Sequence, residues 1–339
     1  MTSASDSSAS TVPRIRVGIS ACLLGHQVRF DGSHKRDRFL NDSLGRYVEW
    51  VSLCPELGAG MSVPRPTLRL VAAPGAKDGV NGSSDEPGPL PRLVTGKGGE
   101  DWTDAVSRYA NKACDGLQQL DLSGFVLKSR SPSCGMERVK VYSGKSSANK
   151  TGVGVFARVL MARFPLLPVE EDGRLCDPVL RDAFLDAVFA YARWQEASRG
   201  DMRAAQLVAF HSRNKYQLRA HNPACSAELG RLVARAGQRT SDDVRQRYSA
   251  LFMTAMKTRA TRARHAETLR SMSGHLKRRV SDRARHVLHE SIDDYRAGFA
   301  PRSVPLTLLR SHALEHELHY LSEQSYLNPF PKSLFQASL

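Results

Sequence analysis

The sequence holds no apolar run of the roughly 18 residues that a membrane-spanning helix needs. Its first residues, MTSASDSSASTVPR, are rich in Ser and Thr and lack the apolar core of a secretory leader. Residues 1–13 therefore read as a disordered tail of a cytoplasmic protein. The six cysteines, at 22, 54, 114, 134, 176 and 225, contain no C-x-x-C pair, which excludes zinc-finger and ferredoxin-type runs. Without a leader, disulfides are not expected either. There is no GxxxxGKS/T loop and no SGGxDS-type segment, so nothing points to ATP-driven activation of a substrate oxygen. A C-x₃-C-x₂-C run for radical chemistry is missing too, and no internal repeat is evident.

What is present is a chain of 339 residues, 41% hydrophobic and 24% charged, as a soluble two-domain protein would have. The net charge of +15 is uneven. Residues 1–172 hold 22 Lys/Arg against 18 Asp/Glu, or +4, and residues 173–339 hold 27 against 16, or +11. A second half this basic suggests a polyanionic partner, most often nucleic acid. A plain solvated cationic surface is the alternative.

Hydrophobic patterning divides the chain at the same place. RIRVGIS (14–20), RYVEWVSL (46–53), GFVLKS (124–129) and LLPVEE (166–171) read as strands. DWTDAVSRYANKACDGLQQL (101–120), with Asp101 or Thr103 as candidate N-cap, and GVGVFARVLMARFP (152–165) read as helices. Alternating strands and helices predict an α/β N-terminal domain over 14–172, with a mostly parallel, Rossmann-like sheet. Residues 72–100, rich in Gly, Pro, Ser and Asp, read as a surface loop. From Asp177, whose Asp-Pro pair is a helix-start signature, the periodicity is helical almost throughout. The expectation is an all-α C-terminal domain over 173–330 and a tail over 331–339.

Three cysteines follow predicted strand ends: Cys22 after VGIS, Cys54 after WVSL, and Cys134 in FVLKSRSPSCG. In open parallel sheets ligands bind beyond the carboxyl ends of the strands, so these thiols can converge. Three thiolates without a fourth suit a cubane iron–sulfur cluster with one open iron. Three unrelated cysteines, or zinc bound by three thiolates, are the other possibilities at this point. Cys114 and Cys225 lie on amphipathic helices and Cys176 near the linker, as packing or surface residues.

The segments VGISACLLGHQVRFDGSHK, CPELGAGMSVPRP, LKSRSPSCG and GVGVFAR resemble the signatures of the thiouracil desulfidase family. DPVLRDAFLDAVFAYARWQ, LVAFHSRNKYQLRAH, SGHLKR and VPLTLLRSH resemble the all-helical partner domain fused to it in longer proteins. The resemblance implies a [4Fe-4S] cluster held by Cys22, Cys54 and Cys134, whose open iron takes sulfur from a thiolated pyrimidine without net redox change. The two-domain form is similar to desulfidases that convert 4-thiouridine in tRNA to uridine.

Replacing C=S by C=O needs a group to move protons. Glu56, two residues after Cys54, is the first candidate, and Asp31 in RFDGSHK the second. Ser131 and Ser133 flank Cys134 and can hydrogen-bond cluster sulfurs or substrate. Lys128 and Arg130 stand nearby, and their charge is expected to lower the thiol pKa. For RNA, His211, Arg213, Lys215 and Tyr216 combine cations with a ring for stacking, and His275, Lys277, Arg278 and Arg279 form the densest basic stretch. The thiolated base would have to leave its stack to reach a crevice. Two other functions fit the same residues: desulfidation of free 2-thiouracil, and a non-catalytic iron–sulfur RNA binder that senses oxidants.

Overall fold

The computed structural model describes residues 15–73, 89–97, 99–143, 147–236 and 240–336. The expected tail over 1–13 lies outside these residues, as does most of the expected loop over 72–100.

Four strands form a wholly parallel sheet. They are β1 (Ile15–Ser20), β2 (Val48–Leu53), β5 (Gly124–Leu127) and β8 (Val169–Glu171), in the order β2-β1-β5-β8. Strand β5 is buried along its whole length, as strands covered on both faces are. The sheet's neighbours in sequence are the short helix α1 (Pro55–Gly58), then α2 (Thr103–Leu117) and α3 (Val155–Arg163). Asp101 caps α2 in effect: its carboxylate accepts from the N–H and hydroxyl of Thr103.

A second sheet was not foreseen. It is made of β3 (Leu68–Val71), β4 (Arg92–Thr95), β6 (Val139–Ser143) and β7 (Ser147–Gly152), in the order β4-β3-β6-β7. Strands β3 and β6 are parallel, and the outer pairs antiparallel. Residues 92–95, expected as loop, are thus a strand whose apolar Leu93 and Val94 are buried. Runs of four to six residues are too short for a period of two to stand out.

From Pro178 onward every regular element among the described residues is helical: α4 (Pro178–Ala197), α5 (Ala204–His221), α6 (Pro223–Ala234), α7 (Asp242–Lys257), α8 (Arg262–Ser273), α9 (Asp282–Ala297), α10 (Ser303–Glu315), α11 (His319–Ser322) and α12 (Ser333–Gln336), with short 3-10 turns between some of them. The cap expected at Asp177 is present, and three further ones divide the run after it. Asp177 accepts from Val179 and Leu180 N–H, and Ser241, Thr261 and Ser281 each accept from the third residue of their helix. Two cores fill this half, one around Trp194, Tyr248 and Phe252, the other around Leu269, Ile292 and Tyr326.

The end of the chain corrects one expectation. Residues 331–339 were read as a tail, yet Phe330 and Leu334 are buried in one core with β1 and α4, and Tyr47 bonds Ser333 at 2.6 Å. Their apolar side chains meet a complementary surface that β1 and α4 create together once folded. Among the described residues no helix is long and apolar enough to cross a membrane.

Candidate active site

The three strands that precede the cysteines are neighbours, with β1 between β2 and β5. Their carboxyl ends therefore open on one edge. Cys22 sits in a 3-10 turn (Ala21–Leu24) directly after β1, Cys54 caps α1 directly after β2, and Cys134 lies in the turn after β5. All three line one cavity of about 340 Å³, together with Glu56, Arg65 and Lys128. Cys114 is buried in α2, Cys225 is half-buried in α6, and Cys176 is exposed before α4, so none of these joins the trio.

The turn that carries Cys134 is docked on the start of α3. The carbonyls of Gly135, Pro132 and Ser133 accept from Gly154, Val155 and Phe156 N–H at 2.7, 3.2 and 2.9 Å. The turn thus satisfies helix donors that have no partner within the helix. Inside the turn, Ser131 Oγ accepts from the N–H of Ser133 and of Cys134. Gly154 permits the docking: a Cβ there would stand 2.5 Å from Ser133 O and 2.9 Å from Cys134 N.

Around Cys22 the chain folds back, with Lys35 N–H donating to the Cys22 carbonyl at 2.8 Å. Arg65 locks this loop to the cavity. Its Nη2 donates to Val28 O at 2.9 Å, and its backbone N–H to Phe30 O. The same guanidinium grips Glu56 Oε2 through Nη2 and through Nε at 2.9 Å. The other carboxylate oxygen, Oε1, accepts from Ser133 Oγ at 2.9 Å. Arg65 was missed in the sequence; its signal is the RP step eleven residues after Cys54, readable only once the loop is seen to return.

Of the other acid/base candidates, Asp31 is fully exposed. It is bound in a turn by the hydroxyl and N–H of Ser33, which hold its carboxyl below the usual range. It does not line the cavity. Ser133 is buried and donates its hydroxyl to Glu56, so it is not free to serve a cluster sulfur, whereas Ser131 lines the cavity and only accepts within the turn, which leaves its O–H to donate. Lys128 lines the cavity but pairs with Asp172 at 2.6 Å. Arg130 also lines it, held at a left-handed φ of 60°.

The expected lowering of the thiol pKa is overturned. Burial pushes Cys22 up to about 11 despite Lys128, raises Cys54, and drives Cys134 well above the usual thiol range, helped by the charge of Glu56. Desolvation of an anion outweighs a cation already neutralised by Asp172. Cys22 also feels the charge of Cys54, and Cys134 that of both. Burial keeps these thiols protonated, and a cationic centre would offset that cost by stabilising their thiolates. A single zinc ion at about 2.3 Å from each sulfur would draw them to about 3.8 Å of one another. Among the described residues, the ligand atoms that gather within 4.8 Å belong to His312, Glu315 and His316 on and just after α10, not to the thiols. The cavity of about 340 Å³ that the three cysteines line has room for a cluster of several atoms.

In the helical half, Arg213, Lys215, His275, Lys277, Arg278 and Arg279 are exposed, with Arg213 3.5 Å from Glu323. His211 is half-buried against Tyr248, and burial lowers its pKa. Tyr216 corrects an expectation: it is buried in the core, its hydroxyl 2.8 Å from His275 Nε2, so its ring is not offered for stacking. Its neighbour Lys215 points out because one helical step turns the face.

A more basic surface adjoins the thiol cavity. A second cavity of about 890 Å³ shares Lys128, Ser129, Arg130 and Pro132 with it and is lined further by Arg69, Arg138, Lys140, Lys150 and Arg174, against Glu137 and Glu171. Charge counts of the two halves hid this groove, because its cations come from β3, β6, β7 and the loops beside them.

Comparison with known proteins accords with the site. Residues 17–172 match the family described as 2-thiouracil desulfurase, and residues 215–331 match a protein family of unknown function, DUF1722. The uncharacterized protein YbbK of Bacillus subtilis (strain 168) is 33% identical over 143 residues, 42% of this chain and 87% of that protein. A solved structure titled [4Fe-4S]-dependent thiouracil desulfidase TudS is 28% identical, covering 50% of this chain and 97% of that one, with a TM-score of 0.37. With its three cysteines at adjacent strand ends and its match across residues 17–172, the chain belongs to the 2-thiouracil desulfurase family.

Proposed function

We propose that the chain removes sulfur from 4-thiouridine in tRNA, giving uridine and sulfide, with a [4Fe-4S] cluster held by Cys22, Cys54 and Cys134. The observation that carries the chemistry is one cavity that joins these three thiols to an anchored carboxylate, Glu56. When bound, a cluster with three thiolate ligands supplies one thiophilic Lewis-acid iron for the departing sulfur.

The chain's own groups do the rest. Arg65 and Ser133 hold Glu56 from two sides, so its carboxylate stays at the cavity wall in one orientation. Glu56 takes a proton from the water that attacks the ring carbon and returns one to the leaving side. Arg65 and Ser133 are positioning residues, which act through Glu56. The basic groove beside the cavity supports a polyanionic substrate, since phosphates flanking the base would lie along Arg130, Arg138, Lys140 and Lys150. Only one unstacked base at a time suits a cavity of about 340 Å³.

The test is anaerobic turnover of tRNA containing 4-thiouridine by the iron- and sulfide-reconstituted chain, read by nuclease digestion and mass analysis. Loss of the thionucleoside in wild type and none in Cys134→Ala is expected. Turnover of free 2-thiouracil alone would replace the RNA substrate with the free base. A cluster with no turnover of either substrate would leave a non-catalytic RNA binder.

A further inference from the structure

The helical half has a cavity of its own, about 640 Å³, between α4, α8, α10 and the α9–α10 connection. None of the residues discussed for catalysis lines it. The volume falls in the range of small-molecule sites.

Its floor is an unusual buried charge system. Asp186 and Arg302 are almost fully buried and bonded at 2.7 and 3.4 Å, and Asp182 approaches Arg302 at 3.5 Å. His221, 1% exposed, donates through Nδ1 to Thr258 O at 2.8 Å and turns Nε2 toward Asp186 at 3.4 Å. Three atoms of this floor lack a hydrogen-bond partner: His221 Nε2, Asp182 Oδ1 and Arg302 Nε. Buried polar atoms are rarely left so, and the three residues that carry these all line the cavity. The walls are apolar, including Val179, Val304, Leu308 and Phe335. Three cations, Arg262, Arg310 and Lys332, complete the lining, and among the described residues no ion pair engages them.

A ligand that satisfies all three zones has a flat apolar body, a hydrogen-bonding edge and an anionic group. We infer that this cavity binds a nucleotide, with its base between the apolar walls, its polar edge on Asp182 and His221, and its phosphate on Arg262, Arg310 and Lys332. The site goes beyond the proposed function, which concerns the thiol cavity and the groove beside it: the +11 charge of the second half suggested a polyanionic partner, and this cavity names where one nucleotide is gripped. The same chemistry is offered by a free nucleoside monophosphate and by a nucleotide within RNA.

Uridine and adenosine 5′-monophosphate are titrated calorimetrically into the full chain, and the uncharged nucleosides beside them. Binding is expected for the monophosphates and weaker binding for the nucleosides. Each of Arg262→Ala and Arg310→Ala should weaken the monophosphates by roughly tenfold or more, as loss of a charge-assisted bond would. Lys112→Ala, exposed on α2 and outside all of these cavities, should leave this binding unchanged. Competition by a short single-stranded RNA assigns the site to RNA, and its failure to compete assigns it to a free nucleotide; both support the pocket. Absence of monophosphate binding, or binding that ignores both arginine variants, overturns it. Continued removal of 4-thiouridine in that case would leave the desulfidase intact, whereas nucleotide binding in a chain without desulfidation would separate the two the other way.

Discussion

Adding one methyl group at Gly154 tests how the Cys134 turn is held. Gly154 has φ −61° and ψ 147°, which any residue adopts, so the penalty of Gly154→Ala is purely steric. The new Cβ would meet Ser133 O at 2.5 Å, Ser133 C at 2.6 Å and Cys134 N at 2.9 Å. Carbon contacts relax at about 3.5–4.0 Å, so the turn must retreat by about 1 Å. It can do so only by stretching the bonds from Val155 and Phe156 N–H, now 3.2 and 2.9 Å, that dock it on α3. Overpacking against backbone of this kind costs about 1–3 kcal/mol. Gly116 is the internal control. It lies in α2 with nothing within 4 Å of a built Cβ, so Gly116→Ala should gain about 0.5–1 kcal/mol of helix propensity. Urea unfolding followed by tryptophan fluorescence reads both. Iron and sulfide per chain after reconstitution should fall in Gly154→Ala and hold in Gly116→Ala. If Gly154→Ala matched wild type in both stability and iron content, the docking argument would be refuted.

Other expectations follow from the same geometry. Glu56→Gln should lower turnover of the loaded chain by roughly 100-fold or more, as loss of an acid/base group does, while iron content stays near wild type; an unchanged rate would remove Glu56 from the reaction. Arg65→Met should lower turnover less than Glu56→Gln, and full activity in it would show that Glu56 needs no such anchor. Asp186→Ala strands Arg302, 6% exposed, without its main partner and should cost about 3–5 kcal/mol by denaturation; a loss near zero would mean that water reaches the network. Burial raises the Asp182 carboxyl from 3.8 to about 6. The folded chain therefore holds that proton more tightly, and stability drops as pH rises through about 4 to 6. Asp182→Asn, neutral at every pH, should be more stable than wild type by up to about 3 kcal/mol at pH 8, with the gap closing near pH 4; a gap that persists in acid would contradict this assignment. If RNA lies on the groove beside the thiol cavity, Lys140→Ala and Lys150→Ala should each reduce the slope of log affinity against log salt by about one, in a filter-binding series.

Much of the molecule was legible before any coordinates. The runs IRVGIS, VEWVSL and GFVL are apolar enough to be strands in no other setting, and their order with α2 and α3 implies parallel pairing. Helix starts at Asp177, Ser241, Thr261 and Ser281 carry capping side chains that act locally. Local signals of this kind depend on residues a few positions apart, and the sequence by itself determined them. It also determined that Cys22, Cys54 and Cys134 follow strands. Only the tertiary structure decided that those strands are adjacent, so that three thiols share one cavity, because adjacency depends on pairing across more than a hundred residues. Arg65 became a partner of Glu56 by the return of a loop, and Tyr216 was withdrawn into a core by its position on a helix face. The thiol pKa values turned on burial, which composition does not express. The charge system of Asp182, Asp186, His221 and Arg302 spans 120 positions of sequence, and its members look like ordinary helix-surface residues until packing removes the water around them.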